Sequence, residues 1–265
     1  MKSMSAHGAD TIALTVDTLI FSVSSTAAVD TRKLSDKHLS ILLVKRQKAP
    51  FEGQWCVPGG FVRGDETLEG AAERVLTKET NLANIYKEQL QVFSDVGRDP
   101  RARIVSVAFL SLVDGGRISD ALSDEAAWFR VHLEERGHRT KLHLINDTDD
   151  ITCELTRTHD TATDTWRYEA RGDQPLAFDH SQMIMAGLES LRRRASSTNI
   201  VFNMMPEEFT LGELQQVHEA ILGRTLWVPA FRRTIADTVA KTGHMTRTGG
   251  HRPSALYSYV RKEDK

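Results

Sequence analysis

The sequence has few of the features that mark a secreted, disulfide-bonded or membrane-spanning chain. It contains only two cysteines among 265 residues, Cys56 and Cys153, too few for a disulfide framework or a zinc site. No run approaches the roughly 18–20 apolar residues that a membrane span needs. Residues 11–23 carry Asp17 and alternate like a strand, which argues against a signal peptide. We expect a cytoplasmic protein whose cysteines are buried thiols.

The chain also lacks an excess of charge of either sign, since 34 Lys and Arg nearly balance 36 Asp and Glu. The balance is uneven along the sequence. Residues 181–265 contain 12 Lys and Arg but 8 Asp and Glu, which leaves the first 180 residues acidic. A basic tail on an acidic body is a modest indication that the C-terminal part binds a polyanion.

Length and apolar periodicity predict two domains. Strand-like segments alternate with amphipathic helices at residues 66–80 and 178–194. The strands of this part are predicted at residues 11–24, 40–46, 89–96, 103–113, 127–131, 151–158 and 165–171. After a break near residues 192–206, helices are predicted at 210–222 and 229–240 and strands at 243–247 and 254–260. We expect domain boundaries at 11–194 and 206–262.

Residues 60–82, GFVRGDETLEGAAERVLTKETNL, resemble the Nudix box, G-x5-E-x7-R-E-U-x-E-E-x-G-U with U aliphatic. The matching positions are Gly60, Glu66, Arg74, Leu76, Glu79 and Leu82. The resemblance implies an α/β fold, the Nudix α/β sandwich, over roughly residues 11–190. Asp65 or Thr67 is the expected N-cap of its helix.

The box departs from the family pattern where its chemistry needs ligands. Nudix enzymes hydrolyse nucleoside diphosphate compounds with Mg²⁺ or Mn²⁺, hard cations held by oxygen ligands from one helix face. Here Val75 offers no ligand, and the ammonium of Lys78 would repel a divalent ion; only Glu79 remains. Asn81 replaces the usual glycine, which the left-handed conformation tolerates. The sequence therefore predicts no catalytic residue, no metal site and no efficient pyrophosphate hydrolysis.

Nucleotide binding can persist where catalysis is lost. Resemblance to ADP-ribose-type Nudix domains implies aromatic residues stacked on adenine and arginines on the pyrophosphate, which suits the arginine fork. The candidate effector-binding residues are Arg46, Phe51, Trp55, Gly60, Glu79, Arg98 and Arg103. Arg46, just past an apolar strand, is preferred, whereas Phe51 and Trp55 are equally well explained as core residues. Asp179 and His180 are expected to cap the helix rather than to catalyse.

The C-terminal segment has the order helix, helix, basic β-wing. Thr210 and Glu213 form a predicted capping box, and Phe231 and Ile235 point inward on the second helix, so that its arginines face outward. The N-terminal half of such a helix enters the major groove in helix-turn-helix proteins. The candidate DNA-binding residues are Arg232, Arg233, Thr234, Arg247, His251 and Arg252.

The Nudix-like domain with FTLGELQ, FRRTIAD and RPSALY resembles the Nudix-related transcriptional regulators of NAD metabolism, the NrtR family. The resemblance covers nearly the whole chain after the first ten residues. It implies a Nudix domain followed by a winged helix-turn-helix domain, and a homodimer on a palindromic operator in double-stranded DNA. It also implies ADP-ribose or a related NAD metabolite as effector, no required cofactor, and repression of NAD biosynthesis or salvage genes.

Two other interpretations stay open. The first is an active Nudix hydrolase of ADP-ribose-type substrates with a C-terminal interaction module, against which Val75 and Lys78 argue. The second is a winged helix that binds protein instead of DNA, against which only the outward arginines argue.

Overall fold

The computed structural model describes residues 11–25, 36–117, 122–123, 125–246 and 253–260. Within these ranges the strands, labelled β1 to β12 in chain order, are Ala13–Ser25, Lys37–Lys45, Trp55–Cys56, Gly59–Phe61, Tyr86–Phe93, Ile104–Val113, Ala126–Arg136, Arg139–Ile145, Asp150–Asp160, Thr165–Ala170, Val239–Met245 and Ala255–Tyr259. The helices, labelled α1 to α4, are Leu68–Thr80, His180–Ala195, Leu211–Leu222 and Val228–Ile235.

A mixed sheet with helices on both faces forms the first domain. Its strand order is β10-β9-β8-β7-β2-β1-β6-β5, with β3 paired to β2 and β4 to β1. Among the strand pairs of the described residues, only β1 and β6 run parallel. Side chains of β1 point to both faces of the sheet. Val16 and Ile20 pack with α1, whereas Leu19 and Phe21 pack on the side of α2. A central strand buried on both faces explains its nearly continuous apolar sequence. The predicted α/β sandwich is confirmed.

Helix α1 ends at Thr80 as predicted, but it begins at Leu68, two residues after the predicted start at residue 66. The Thr67 side chain accepts a hydrogen bond from the Gly70 backbone N–H, which selects Thr67 over Asp65 as the N-cap. Asn81 ends the helix in the left-handed conformation, with φ at 52°. The face of α1 that packs on the sheet includes Ala72 and Leu76, which are fully buried.

The segment between the two predicted domains is not simply a polar linker. It contains a single helical turn, Ile200–Met204, whose apolar side chains join the same core cluster as α2 and α3. Arg192 of α2 donates a hydrogen bond from Nε to the Ile221 carbonyl oxygen of α3 at 3.0 Å. The C-terminal elements therefore pack directly on the sheet domain, while the boundaries 11–194 and 206–262 stay predictions.

The C-terminal elements form two helices and a hairpin. The predicted capping box is confirmed, since the side chains of Thr210 and Glu213 each bond the other residue's backbone N–H. Gly223 ends α3 at a φ of 66°, in the left-handed region that favours glycine. Strands β11 and β12 then pair antiparallel. The wing-tip candidates Arg247, His251 and Arg252 lie outside the described residues.

Two predicted boundaries here are wrong, and one strand was missed. Helix 229–240 ends at Ile235, and strand 243–247 begins earlier, at Val239, because Val239 pairs with Tyr259 across the hairpin. Strand β8 has no counterpart among the predicted strands, although its buried residues Thr140, Leu142 and Leu144 alternate with exposed or half-buried ones, as in a strand with one buried face. Between residues 236 and 240, cross-strand pairing outweighed local helix propensity.

Two expectations from composition can be compared with the fold. Cys56 and Cys153 are free and buried, as predicted, and burial raises the pKa of each thiol to about 12. No helix among the described residues is long and apolar enough to cross a membrane.

Candidate functional site

A cavity of about 520 Å³ opens where β1, β2, β4 and the end of α1 meet the loops at residues 98–101 and 178–180. Its size lies within the range of small-molecule sites, roughly 300–1,000 Å³. Charged side chains of both signs line it: Asp17, Lys45, Arg46, Lys78, Glu79, Arg98, Asp99, Arg101 and Glu125. The cationic side chains make the wall suitable for an anionic ligand.

Four of the predicted effector-binding residues line this cavity, namely Arg46, Gly60, Glu79 and Arg98. The neighbouring Gly59 is the position with no room for a side chain, because a Cβ there would lie 2.0 Å from Asp17 Oδ1. The Pro-Gly-Gly turn upstream of the box therefore permits the close approach of β4 to β1.

The other three predicted effector-binding residues are outside the lining. Phe51 packs edge-on against Phe178, with ring centroids 4.8 Å apart. Trp55 packs against Phe129 and donates its indole N–H to Asp149 at 3.3 Å. Arg103 donates to the Asp95 carbonyl oxygen. Their roles in ligand binding stay predictions.

Two phenylalanines line the cavity, Phe61 and Phe178, and Phe178 contacts two of its arginines. The Arg46 guanidinium lies 4.7 Å from the Phe178 ring centroid and the Arg101 guanidinium 5.4 Å, both within cation–π range. Phe178 has a φ of 57° and precedes α2, so the prediction that the helix starts at residue 178 is wrong. A bulky residue held at positive φ is a strained conformation, of a kind that concentrates at functional sites. Sequence analysis gave no signal for Phe178 or Arg101.

A buried ionic layer lies beneath the cavity. Arg98, with 4% of its side chain exposed, donates to both carboxylate oxygens of Asp179 at 2.8 and 2.6 Å. Burial tends to lower the pKa of Arg98, but the hydrogen bonds to Asp179 together with the negative charges of Asp179, Asp17 and Asp99 outweigh it and raise that pKa. These hydrogen bonds attach the 98–101 loop to the start of α2. Asp179 occupies the N-cap position of α2, but its side chain makes no capping bond there, so a predicted side-chain cap is wrong.

His180, the first residue of α2, is held as a neutral imidazole. Its Nδ1 lies 2.9 Å from the Val57 backbone N–H and accepts that hydrogen bond, which places the ring proton on Nε2, 3.8 Å from Asp17 Oδ1. Burial lowers the pKa of His180 even though Asp17 acts in the opposite direction. Its predicted capping role is also wrong, because the ring bonds the β3–β4 connection instead.

This histidine predicts a pH dependence of stability. Below its unfolded pKa of about 6.5, the unfolded chain binds a proton that the folded chain does not bind until its lowered pKa is reached. Stability therefore falls with decreasing pH in that window, by up to about 1.4 kcal/mol per pH unit. His180→Asn keeps an acceptor near Nδ1 and removes the titration, so the slope should decrease by about one proton.

Urea unfolding between about pH 7.5 and 5.5 measures the slope. Burial also lowers the pKa of His218, so His218→Asn serves as a second test that should remove its own share of the slope. An unchanged slope in His180→Asn would show that this imidazole does not carry the effect.

The box residues do not fit a divalent cation. The Lys78 Nζ lies 2.5 Å from Glu79 Oε1, and Ser123 donates to Glu79 Oε2, so both carboxylate oxygens are engaged. Val75 is buried and offers no ligand. Glu66 is paired with Arg74, whose hydrogen bonds lower the pKa of that carboxyl to about 2. No group of three or more His, Cys, Asp or Glu in the described ranges could hold a metal.

Helix α4 presents a second candidate surface. Phe231 and Ile235 are buried, as predicted, and Arg232, Arg233 and Thr234 are exposed. Beside them the N-cap residue Trp227 is 71% exposed, a residue that sequence analysis missed. Polar residues are the usual N-caps, so a tryptophan just before a predicted helix was the feature of the sequence that could have drawn attention to Trp227.

Comparisons with known proteins cover both parts of the chain. The sequence matches the NrtR DNA-binding winged helix domain over residues 201–259 and the NUDIX domain over residues 25–147. It is 28% identical over 250 residues to the ADPR responsive transcriptional repressor NtrR of Acinetobacter baylyi, covering 93% of this chain and 82% of that protein. It is 41% identical over 91 residues to the ADP-ribose pyrophosphatase of Methanocaldococcus jannaschii, covering 34% of this chain and 54% of that protein.

A solved structure resembles this chain over both of its parts. The Shewanella oneidensis NrtR complexed with a 27mer DNA superposes on this chain with a TM-score of 0.66 at 29% identity, over 93% of each chain. The likeness spans the sheet domain and the winged helix together.

Proposed function

We infer that this chain, which belongs to the NrtR family of Nudix-related transcriptional regulators, is a ligand-responsive DNA-binding repressor of NAD biosynthesis or salvage genes. The observation that carries the proposal is the pairing of a nucleotide-type cavity, whose metal-binding face holds Val75 and Lys78, with an exposed basic helix, α4. A cavity that keeps cations but lacks metal ligands is suited to binding without turnover.

The proposed effector is ADP-ribose or a related NAD metabolite. Arg46 and Lys78 line the cavity, and their charges complement a diphosphate, whose oxygens accept charge-assisted hydrogen bonds. The exposed part of Phe178 offers an aromatic surface at the same wall. The Acinetobacter relative is described as ADPR responsive, which supports this choice.

The proposed partner is double-stranded DNA with a palindromic operator, bound in the cytoplasm by a homodimer. Arg232 and Arg233 lie on the solvent face of a helix that follows a short turn, as in a recognition helix. A two-fold dimer on a palindrome places two such helices about one DNA turn apart. The Shewanella protein was crystallised with DNA, and its likeness to this chain includes the winged helix.

A hydrolase of ADP-ribose-type substrates is the alternative function, and the match to the archaeal ADP-ribose pyrophosphatase favours it. That match covers 34% of this chain and leaves the winged helix unexplained. The engagement of Glu79 by Lys78 and Ser123 argues against a catalytic metal. We propose that the chain is not an enzyme.

The two parts have a physical route for communication. Arg192 bonds the last turn of α3, and Leu191, Met204 and Leu214 share one apolar cluster. An effector can change DNA affinity only by its difference in affinity for the DNA-competent and incompetent forms. Small movements of α2 against α3 would alter the spacing of the two recognition helices in a dimer.

We expect ADP-ribose to weaken operator binding by roughly 5–150-fold, the usual range of coupling between sites. By linkage, the operator should weaken ADP-ribose binding by the same factor. Fluorescence anisotropy with a duplex from upstream of NAD-biosynthesis genes measures the first effect, and calorimetry with and without that duplex measures the second. AMP, which lacks the diphosphate, is the control ligand.

Tight ADP-ribose binding that leaves the operator affinity unchanged would contradict the proposed sensor. If ADP-ribose changes operator affinity by a different factor than the operator changes ADP-ribose affinity, the two measurements do not report the same equilibrium.

A further inference from the structure

The ammonium group of Lys78 occupies a distinctive place in the cavity wall. The Lys78 side chain is 75% exposed, whereas the Glu79 carboxylate it contacts is 6% exposed. Because both residues line the cavity, the ammonium stands between a buried carboxylate and the space for ligand. A buried carboxylate is costly without a positive partner, so Glu79 holds Lys78 at this position.

Lys78 is less tied to protein acceptors than the arginines of the cavity wall. An ammonium has three donors, and in the described part of the chain one of them is given to Glu79. The arginines of the wall are fixed by protein acceptors: Arg46 donates to the Pro50 and Lys48 carbonyls, Arg98 to Asp179 and Arg101 to Asp99. Two donors of Lys78 therefore remain for ligand oxygens.

A divalent cation in a Nudix box would neutralise the ligand's phosphates from this same helix face. The residues here do not fit such a cation, since Lys78 and Ser123 engage the two carboxylate oxygens of Glu79 and Val75 has no ligand atom. The single charge of an ammonium neutralises phosphate oxygens, but it does not activate a water molecule as a metal ion does.

We propose that Lys78 replaces the divalent cation, bridging the Glu79 carboxylate and the diphosphate of a nucleotide diphosphate ligand, so that the ligand binds without metal. This inference rests on the proposed function, because it takes ADP-ribose as the ligand of the same cavity. It adds that the affinity for ADP-ribose is set by a residue of this chain and is independent of Mg²⁺ and Mn²⁺.

Calorimetry of the full chain with ADP-ribose, in EDTA and in excess Mg²⁺, tests the inference. The wild type should give the same Kd in both buffers. Lys78→Gln should weaken binding about tenfold in both, through loss of a charge-assisted contact. Lys78→Glu should weaken binding further in EDTA and recover part of the loss in Mg²⁺, because two carboxylates would then face the cavity.

Lys141→Gln is the matched control, because Lys141 is exposed on β8, pairs with Glu154 and is absent from the cavity lining. It removes the same charge and should bind like the wild type. Thermal unfolding of each variant checks that the fold is retained.

Wild-type binding that requires Mg²⁺, or equal binding by Lys78→Gln and the wild type, would overturn the role of Lys78 and leave the ADP-ribose sensor standing. No wild-type binding in either buffer would overturn the proposed effector, and the role of Lys78 with it.

Discussion

Replacement of Arg232 and Arg233 together by alanine is expected to remove specific operator binding while leaving ADP-ribose binding unchanged. An arginine that reads a guanine edge contributes about 1–3 kcal/mol of discrimination, so the pair should account for roughly 30-fold to 20,000-fold in operator affinity. Both side chains are exposed, and Phe231 and Ile235 anchor the helix from its other face. The substitutions therefore remove contacts to DNA with little effect on packing.

Operator affinity is measured by anisotropy at a fixed, stated salt concentration, because protein–DNA affinity depends steeply on salt. The matched control is Arg136→Ala with Arg139→Ala, two exposed arginines at the turn between β7 and β8. This control changes the net charge by the same amount, at positions far from α4 in the sequence. If the α4 double variant binds as well as this control, α4 is not the recognition helix, and a protein-binding winged helix becomes the better interpretation.

The wild-type chain is expected to hydrolyse ADP-ribose orders of magnitude more slowly than the roughly 10 s⁻¹ of a typical enzyme, with either Mg²⁺ or Mn²⁺ present. A catalytic metal ion contributes by neutralising phosphate charge and activating water, and it needs several oxygen ligands in a fixed arrangement. Here Val75 and Lys78 interrupt the ligand face, and Glu66 is held by Arg74.

Release of AMP from ADP-ribose, followed by chromatography, measures the rate. The Methanocaldococcus ADP-ribose pyrophosphatase is a suitable positive control in the same buffers. Slow residual hydrolysis through Glu79 agrees with the proposal. A turnover near that of the archaeal control, lost in Glu79→Gln, would establish the hydrolase alternative instead.

The sequence by itself determined those features of this protein that depend on residues close together along the chain. The spacing from Gly60 to Leu82 identifies the box, and Val75 and Lys78 reveal its altered chemistry without any coordinates. The capping box of Thr210 and Glu213 was readable because its two bonds lie within one helical turn. The outward direction of the α4 arginines followed from helical periodicity alone.

Tertiary structure decided which residues share the cavity. Arg46, Lys78, Arg98 and Phe178 come from four separate segments, and no local pattern states that these segments meet. Arg98 stays a predicted effector-binding residue, and only the fold shows that Asp179, 81 residues along the chain, accepts two of its hydrogen bonds. Local spacing cannot reveal such a long-range choice.

Long-range pairing also set the elements that the sequence left ambiguous. Residues 236–240 are compatible with a helix, but Val239 ends that possibility by pairing with Tyr259. Strand β8 lies between β7 and β9, which satisfy its backbone groups, and only its alternate residues Thr140, Leu142 and Leu144 are buried. Propensity is a weak local preference, whereas the hydrogen bonds and burial supplied by neighbouring strands become available only in the assembled fold.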